Sequence, residues 1–273
     1  MKGLELDMEI LEKILVEFVR TETLKSGFSK LVFGLSGGID SALSAFIGAK
    51  ALGKENVLGI MMPYKTSSKE SVLHARLVID ALGIQSKLIE ITPMVDAYFA
   101  LESEVNPLRK GNKMARERMS ILFDYSAKEK SLVLGTSNKT EMLLGYSTQF
   151  GDGASAINPL GDLYKTQIWQ LSEYMGIPKK LIDKKPSADL WEGQTDEKEL
   201  GFSYEMADKI LFRLIDERKT KEEIIKEGFE SIIVESVIKK VKMTQYKRKL
   251  PIIAKISGRT IGQEFRYPRD WEK

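Results

Sequence analysis

The sequence predicts an α/β fold, a doubly wound parallel sheet with helices on both faces, and three observations carry that expectation. Short apolar runs alternate with longer amphipathic segments through most of the chain, the pattern of strands joined by crossover helices. A glycine-rich turn, Ser36-Gly37-Gly38-Ile39-Asp40-Ser41, lies between one such run and an alanine-rich helical stretch. The length, 273 residues with 42% apolar, suits one large α/β domain with a sizeable core.

Taken in order, Leu6, Ile10, Leu11, Ile14, Leu15, Phe18 and Val19 recur at helical spacing and give an N-terminal amphipathic helix of about five turns. Strands are expected at residues 31–35, 57–61, 88–91 and 131–135, and helices at 42–52, 69–82, 113–128, 165–175, 204–216 and 230–246. In such a sheet ligands sit at the carboxyl ends of the strands, where the glycine turn falls. Residues 184–201, with Pro186, Gly193 and several acids, read as a long mobile loop. There is no internal repeat or low-complexity tract. The whole chain, 1–273, reads as a single domain, with residues 251–273 a tail of unassigned role.

Composition narrows the function classes. No run of eighteen uncharged apolar residues exists, so no membrane span is expected. The first nine residues carry acids without a basic-then-apolar signal pattern, and a cytoplasmic location is expected. Zero cysteines exclude disulfides, thiolate metal sites and a cysteine nucleophile. A net charge of +3 gives no reason to expect nucleic-acid binding. The basic cluster from Lys239 to Lys249 is expected to be a solvated helix face.

The glycine turn reads as a cradle for the phosphates of ATP. Paired glycines bring backbone N–H groups close to an anion, the following helix directs its positive end there, and the Ser36 and Ser41 hydroxyls can add hydrogen bonds. It is not a Walker loop, because no lysine follows the glycines. A metal ion is therefore the expected counter-charge, with Asp40 to hold it. The plainer alternative is a turn closing a strand-to-helix connection, with Asp40 complementing the helix dipole. A second strand end carries Thr136-Ser137-Asn138-Lys139-Thr140-Glu141, where Glu141 fits a capping box with Asn138 as well as it fits a metal role. Lys165 opens a predicted helix, where the dipole disfavours a cation, and a bound phosphate would remove that conflict. His74, the only histidine, is expected at the surface. Arg116 and Arg118, two apart on a helix, are expected to face differently, only one of them toward a ligand.

Five ordered segments carry a resemblance to a known family: the loop at 36–41; Gly111-Asn112-Lys113-Met114-Ala115-Arg116-Glu117-Arg118-Met119; the segment from Thr136 to Glu141; Gly151-Asp152-Gly153-Ala154 with Ile157-Asn158-Pro159-Leu160 and Lys165; and Lys185-Pro186-Ser187-Ala188-Asp189-Leu190-Trp191. Together they resemble the bacterial ammonia-dependent NAD synthetases of the pyrophosphatase-loop superfamily, from the N-terminal helix to about Pro251. The resemblance implies a sheet of the adenine nucleotide α-hydrolase-like type. It implies a homodimer that activates the nicotinate carboxylate of nicotinic acid adenine dinucleotide with ATP and magnesium, then amidates the acyl adenylate with ammonia. By position it implies that Ser36, Gly37, Gly38, Ile39, Asp40, Ser41, Ala42 and Leu43 cradle ATP with Thr136, Lys165 and Ser187. Asp40 and Glu141 would hold magnesium, and Arg118, Tyr246 and Lys247 would bind the dinucleotide. Asp152 would join the catalytic set with Asp40, Glu141 and Lys165.

The chain departs from the pattern at the nicotinate end. Gln149 and Ala156 fall at the remaining positions that the resemblance assigns to the dinucleotide, Gln149 where many members have lysine and Ala156 where they have an aspartate. The absence of cysteine rules out a cysteine-dependent glutaminase, so free ammonia is the expected nitrogen donor. The alternatives are another pyrophosphatase-loop enzyme acting on RNA or a nucleotide, and a silent nucleotide-binding protein.

Overall fold

In the computed structural model, which describes residues 3–187, 195–249 and 251–260, four parallel strands form one sheet in the order β3-β2-β1-β4. The elements are α1 (Met8–Lys25), β1 (Leu31–Gly34), α2 (Ile39–Leu52), β2 (Val57–Met61), α3 (Lys69–Leu82), β3 (Gln85–Leu88), α4 (Thr92–Phe99), α5 (Pro107–Glu129), β4 (Leu132–Val133), α6 (Lys139–Leu144), α7 (Lys165–Tyr174), α8 (Lys179–Ile182), α9 (Asp196–Leu200), α10 (Tyr204–Leu211), α11 (Lys221–Lys226) and α12 (Ser231–Met243).

Alternation along β1 explains why both faces are covered. Leu31 and Phe33 enter a core with Val19 of α1, Ile47 of α2 and Ile168 of α7. Val32 points the other way, into a core with Val95 of α4 and Met114 of α5. All of these are 1% exposed or less, and each such side chain contributes about 1.5–3 kcal/mol of burial. A third core joins α10 and α12 to Leu144 of α6, and Trp169 of α7 packs against both this core and the first.

The order of the sheet places the site. The chain runs outward from β1 to β2 and β3, then returns to the other side of β1 as β4. The crevice between the carboxyl ends of β1 and β4 is thus a topological switch point, where open α/β sheets bind ligands. The glycine turn follows β1 and the Thr136 to Glu141 segment follows β4. Gly37 makes the first turn possible: its φ is +75°, and a Cβ there would lie 2.1 Å from the Ser71 carbonyl oxygen.

The strand expected at 131–135 is only Leu132–Val133, the helix expected at 230–246 ends at Met243, and three further elements differ. The strand expected at 88–91 is Gln85–Leu88. It is an edge strand whose four residues are all exposed, so no apolar run marks it. The expected run, with Ile91 buried, lies just past it, where Ile89 and Ile91 still donate to the Met61 and Pro63 carbonyls. Helix α5 starts six residues before 113, at an Asn106 cap that accepts from Arg109 N–H, followed by Pro107. The helix expected to run through 216 gives way at Phe212–Asp216 to a π-helical turn. Within the expected mobile loop, Asp196–Leu200 is helical with both end residues buried; residues 188–194, including four of the Lys185 to Trp191 motif, lie outside the described residues.

Candidate active site

Three helices begin at the switch point, and each brings one ionic group. Asp40 is in the first turn of α2, Glu141 in that of α6, and Lys165 is the first residue of α7. The Lys165 ammonium, 2% exposed, lies 2.5 Å from Asp40 Oδ2 and 3.2 Å from Glu141 Oε1, both carboxylates being 17% exposed. Asn138, fully buried, fixes the pair from beneath. Its Oδ1 accepts from Glu141 N–H, and its Nδ2 donates to Asp40 Oδ1 at 2.8 Å. The capping box expected at Glu141 is therefore half formed, because the Glu141 carboxylate accepts from Lys165 rather than closing the box.

Two carboxylates beside the Lys165 ammonium offset its conflict with the helix dipole. Burial works to lower the Lys165 pKa, but Asp40 and Glu141 together raise it, so the lysine stays charged. Burial raises Glu141 most strongly; Lys165 opposes that and Asp40 reinforces it, leaving the carboxyl at about 8. Asp196 lies close enough to add to the crowding of negative charge. One ammonium is shared by more carboxylates than it can neutralise, and that excess suits a further cation.

Around this centre lies a cavity of about 700 Å³, within the roughly 300–1,000 Å³ range of small-molecule sites. Ser36, Gly38, Ile39, Asp40 and Ser41 border it, with Thr136, Glu141, Lys165 and Ser187. The serine hydroxyls first shape the loop: Ser41 Oγ donates to the Gly38 carbonyl, and Ser36 Oγ accepts from Gly38 N–H. Gly37 packs against Ser71, and Ala42 and Leu43 are fully buried in the core, so these three support the loop from behind.

The other end is built by residues 145–152 and the chain near Tyr246. Lys247 Nζ donates to the Gly145 and Ser147 carbonyls at 2.8 and 2.7 Å; burial lowers its pKa against the pull of Asp152. Asp152 accepts from Thr148 N–H at 2.8 Å. Water reaches this carboxyl through the open cavity, yet the surrounding protein disfavours its charge and raises its pKa. Gln149 and Tyr246 border the cavity, the latter 59% exposed. Ala156 does not border it; its N–H donates to the Val133 carbonyl at the end of β4. Arg116 and Arg118 both border it, against the expectation that only one would. Their Nε atoms donate to different carbonyls, those of Gln149 and Met62. His74 is half-buried rather than exposed, and burial lowers its pKa.

Sequence reasoning missed Asp196 and Asp208. Asp196 borders the cavity and accepts from the Tyr146 and Tyr204 hydroxyls, each at 3.0 Å. Asp208 is fully buried beneath it. A signal for Asp208 existed: on α10 it shares the buried face of Tyr204, Ala207 and Leu211, where an acid must have partners.

The fold and the site define an α/β protein with a glycine loop at a topological switch point, with two carboxylates and a buried lysine beside it and no lysine in the loop itself. Comparison with known proteins places it further. The NAD synthase family model matches residues 11–251, and the chain belongs to that family. The NH(3)-dependent NAD(+) synthetase of Fusobacterium nucleatum is 60% identical, covering 94% of this chain and 99% of that protein. Among solved structures, the NMN synthetase of Francisella tularensis superposes with TM-score 0.83 at 32% identity, over 92% of this chain and 99% of the other. The NH3-dependent NAD synthetase of Campylobacter jejuni superposes with TM-score 0.79 at 33% identity, over 92% and 100%.

Proposed function

We propose that the enzyme amidates nicotinic acid adenine dinucleotide with ammonia. An oxygen of the nicotinate carboxylate attacks the α-phosphorus of ATP and pyrophosphate leaves. Ammonia then attacks the acyl carbon, loses a proton and expels AMP, giving NAD. The observation that carries the reading is the Lys165 ammonium held between Asp40 and Glu141 beneath the glycine loop. Attack of one anion on another needs cation and dipole fixed in advance at the α-phosphate. Lys165 and the first turn of α2 supply both.

Magnesium is part of the proposal. Among the described residues no group of three or more acids or histidines is arranged to hold a metal alone. Magnesium commonly takes one or two carboxylates and completes its shell with water and substrate phosphates, and Asp40 and Glu141 fit that mode. When bound it would neutralise charge on the α and β phosphates. Arg118 and Lys247 are assigned to the dinucleotide, with Tyr246 and Gln149, and Asp152 to the catalytic end of the same wall. No helix among the described residues is long and apolar enough to cross a membrane, and a cytoplasmic location is proposed with that fact.

A homodimer is proposed on the family likeness. On α5, Ile121, Leu122 and Tyr125 pack inward against the sheet. Leu108 and Phe123 are the exposed apolar groups of that helix.

Incubation with magnesium ATP, ammonium and the dinucleotide tests the reading, with NAD, AMP and pyrophosphate expected in equal amounts. ADP and phosphate as products would contradict adenylation. Nicotinate mononucleotide is run in parallel, because one solved relative is named for the mononucleotide product. Preference for it would reassign the substrate while leaving the chemistry in place.

A further inference from the structure

Beneath the site, one buried carboxylate ties together the two helices that carry Glu141 and Lys165. Asp208, on α10, is fully buried. Its Oδ1 accepts from the Thr140 hydroxyl at 2.5 Å, and its Oδ2 accepts from Thr166 N–H at 2.8 Å. The Thr140 oxygen in turn accepts from Lys165 N–H at 2.9 Å. Thr140 precedes Glu141 on α6, and Thr166 follows Lys165 on α7.

We infer that Asp208 is a positioning residue for the Glu141–Lys165 pair, acting through Thr140 and the first turn of α7. The first N–H groups of a helix lack partners within it. Within α7 the Gln167 side chain takes up the Tyr164 N–H, while the N–H groups of Lys165 and Thr166 are taken up from other helices, by Thr140 and Asp208. A carboxylate at a helix N-terminus is favoured by the dipole, and here it also fixes which way the lysine leaves the backbone. Burial raises the Asp208 pKa, while the Thr140 hydroxyl, Thr166 and Lys165 lower it. Both carboxylate oxygens accept from donors, which opposes the effect of burial. Glutamine or asparagine at 208 would turn an amide donor toward a donor already there.

The inference rests on the reading of Asp40, Glu141 and Lys165 as the metal and phosphate centre, so its test separates the two. Manganese is titrated into the enzyme with a non-hydrolysable ATP analogue and followed by its paramagnetic resonance signal, alongside kcat and both KM values. Thr140→Val should weaken manganese binding and lower kcat by about tenfold or more, with KM for the dinucleotide unchanged. Thr140→Ser, which keeps the hydroxyl, should restore both. Asp208→Asn should move the same quantities the same way and serves if the valine variant does not fold. The inference is overturned if folded Thr140→Val matches the parent in manganese affinity and kcat, or if serine is no better than valine. If Glu141→Gln leaves manganese affinity unchanged, the metal centre itself is misplaced and the inference goes with it.

Discussion

The two ends of the cavity are built differently. At the glycine-loop end the ionic groups are held by buried partners: Asn138 under Asp40, Lys165 between two carboxylates, Asp208 under the helices that carry them. At the other end the cations are held by backbone carbonyls and solvent reaches much of the wall. Arg116 and Asp152 are exposed, Tyr246 is 59% exposed, and Phe150 adopts a φ of 57° in the turn between them. The difference teaches that, under the proposed function, the phosphate chemistry is preorganised before any ligand arrives. Under the same proposal, recognition of the acid substrate falls to side chains that would exchange a carbonyl for a ligand.

The comparison breaks most visibly at the rigid end. Asp40→Asn and Glu141→Gln should each lower turnover by about 10²–10³-fold, the scale for losing one preorganised electrostatic group, with the far-ultraviolet circular dichroism unchanged. Near-normal kcat at saturating magnesium would remove the metal assignment. At the open end Arg118→Ala should act on binding. Losing a hydrogen bond to a charged group costs about 1.5–3 kcal/mol, so calorimetry should show weaker dinucleotide binding and nearly unchanged ATP binding. Equal losses for both ligands would mean that the two ends are not separable.

Smaller effects sharpen the contrast. Gly37→Ala forces a side chain against the Ser71 carbonyl at positive φ; a strained backbone of this kind costs about 1–3 kcal/mol, so the unfolding midpoint should fall, and an unchanged midpoint would show that the loop yields. pH adds a further test. Burial, reinforced by Asp40 and opposed by Lys165, pushes the ligand-free Glu141 carboxyl up from the ordinary 4.5 to about 8. In that window the unfolded chain has already released the proton, so ligand-free stability should fall as pH rises from 4.5 toward 8. Glu141→Gln should flatten the slope in thermal melts. Smallest of all, Gln149→Lys and Ala156→Asp should combine additively within about 0.5 kcal/mol in catalytic efficiency, because only Gln149 borders the cavity. A larger coupling would place the two side chains together in the working complex.

The rigid end was also the more legible in the sequence. A glycine pair between a strand and a helix constrains the backbone locally, so the loop and the strand ends could be read from spacing alone. Lys165 was legible as an anomaly, a cation at a helix start, but its partners were not. Asp40 and Glu141 reach it from 125 and 24 residues away in the chain. Strand β3 escaped because its exposed residues carry no apolar signal. Asp208 was legible only as an acid on the apolar face of α10; its partners Thr140 and Thr166 come from the docking of α10 on α6 and α7. The likeness to known synthetases named residues at both ends, whereas the physical arguments carried mainly the first.

Exchange of labelled pyrophosphate into ATP, driven by the dinucleotide with ammonia left out, tests the central claim most directly. The account predicts exchange in the parent enzyme and its near-abolition in Glu141→Gln. In Arg118→Ala it predicts recovery of exchange once the dinucleotide concentration is raised. Exchange at the parent rate in Glu141→Gln, or no recovery in Arg118→Ala at any concentration, would contradict the division of the cavity into a preorganised adenylating end and an adaptable recognition end.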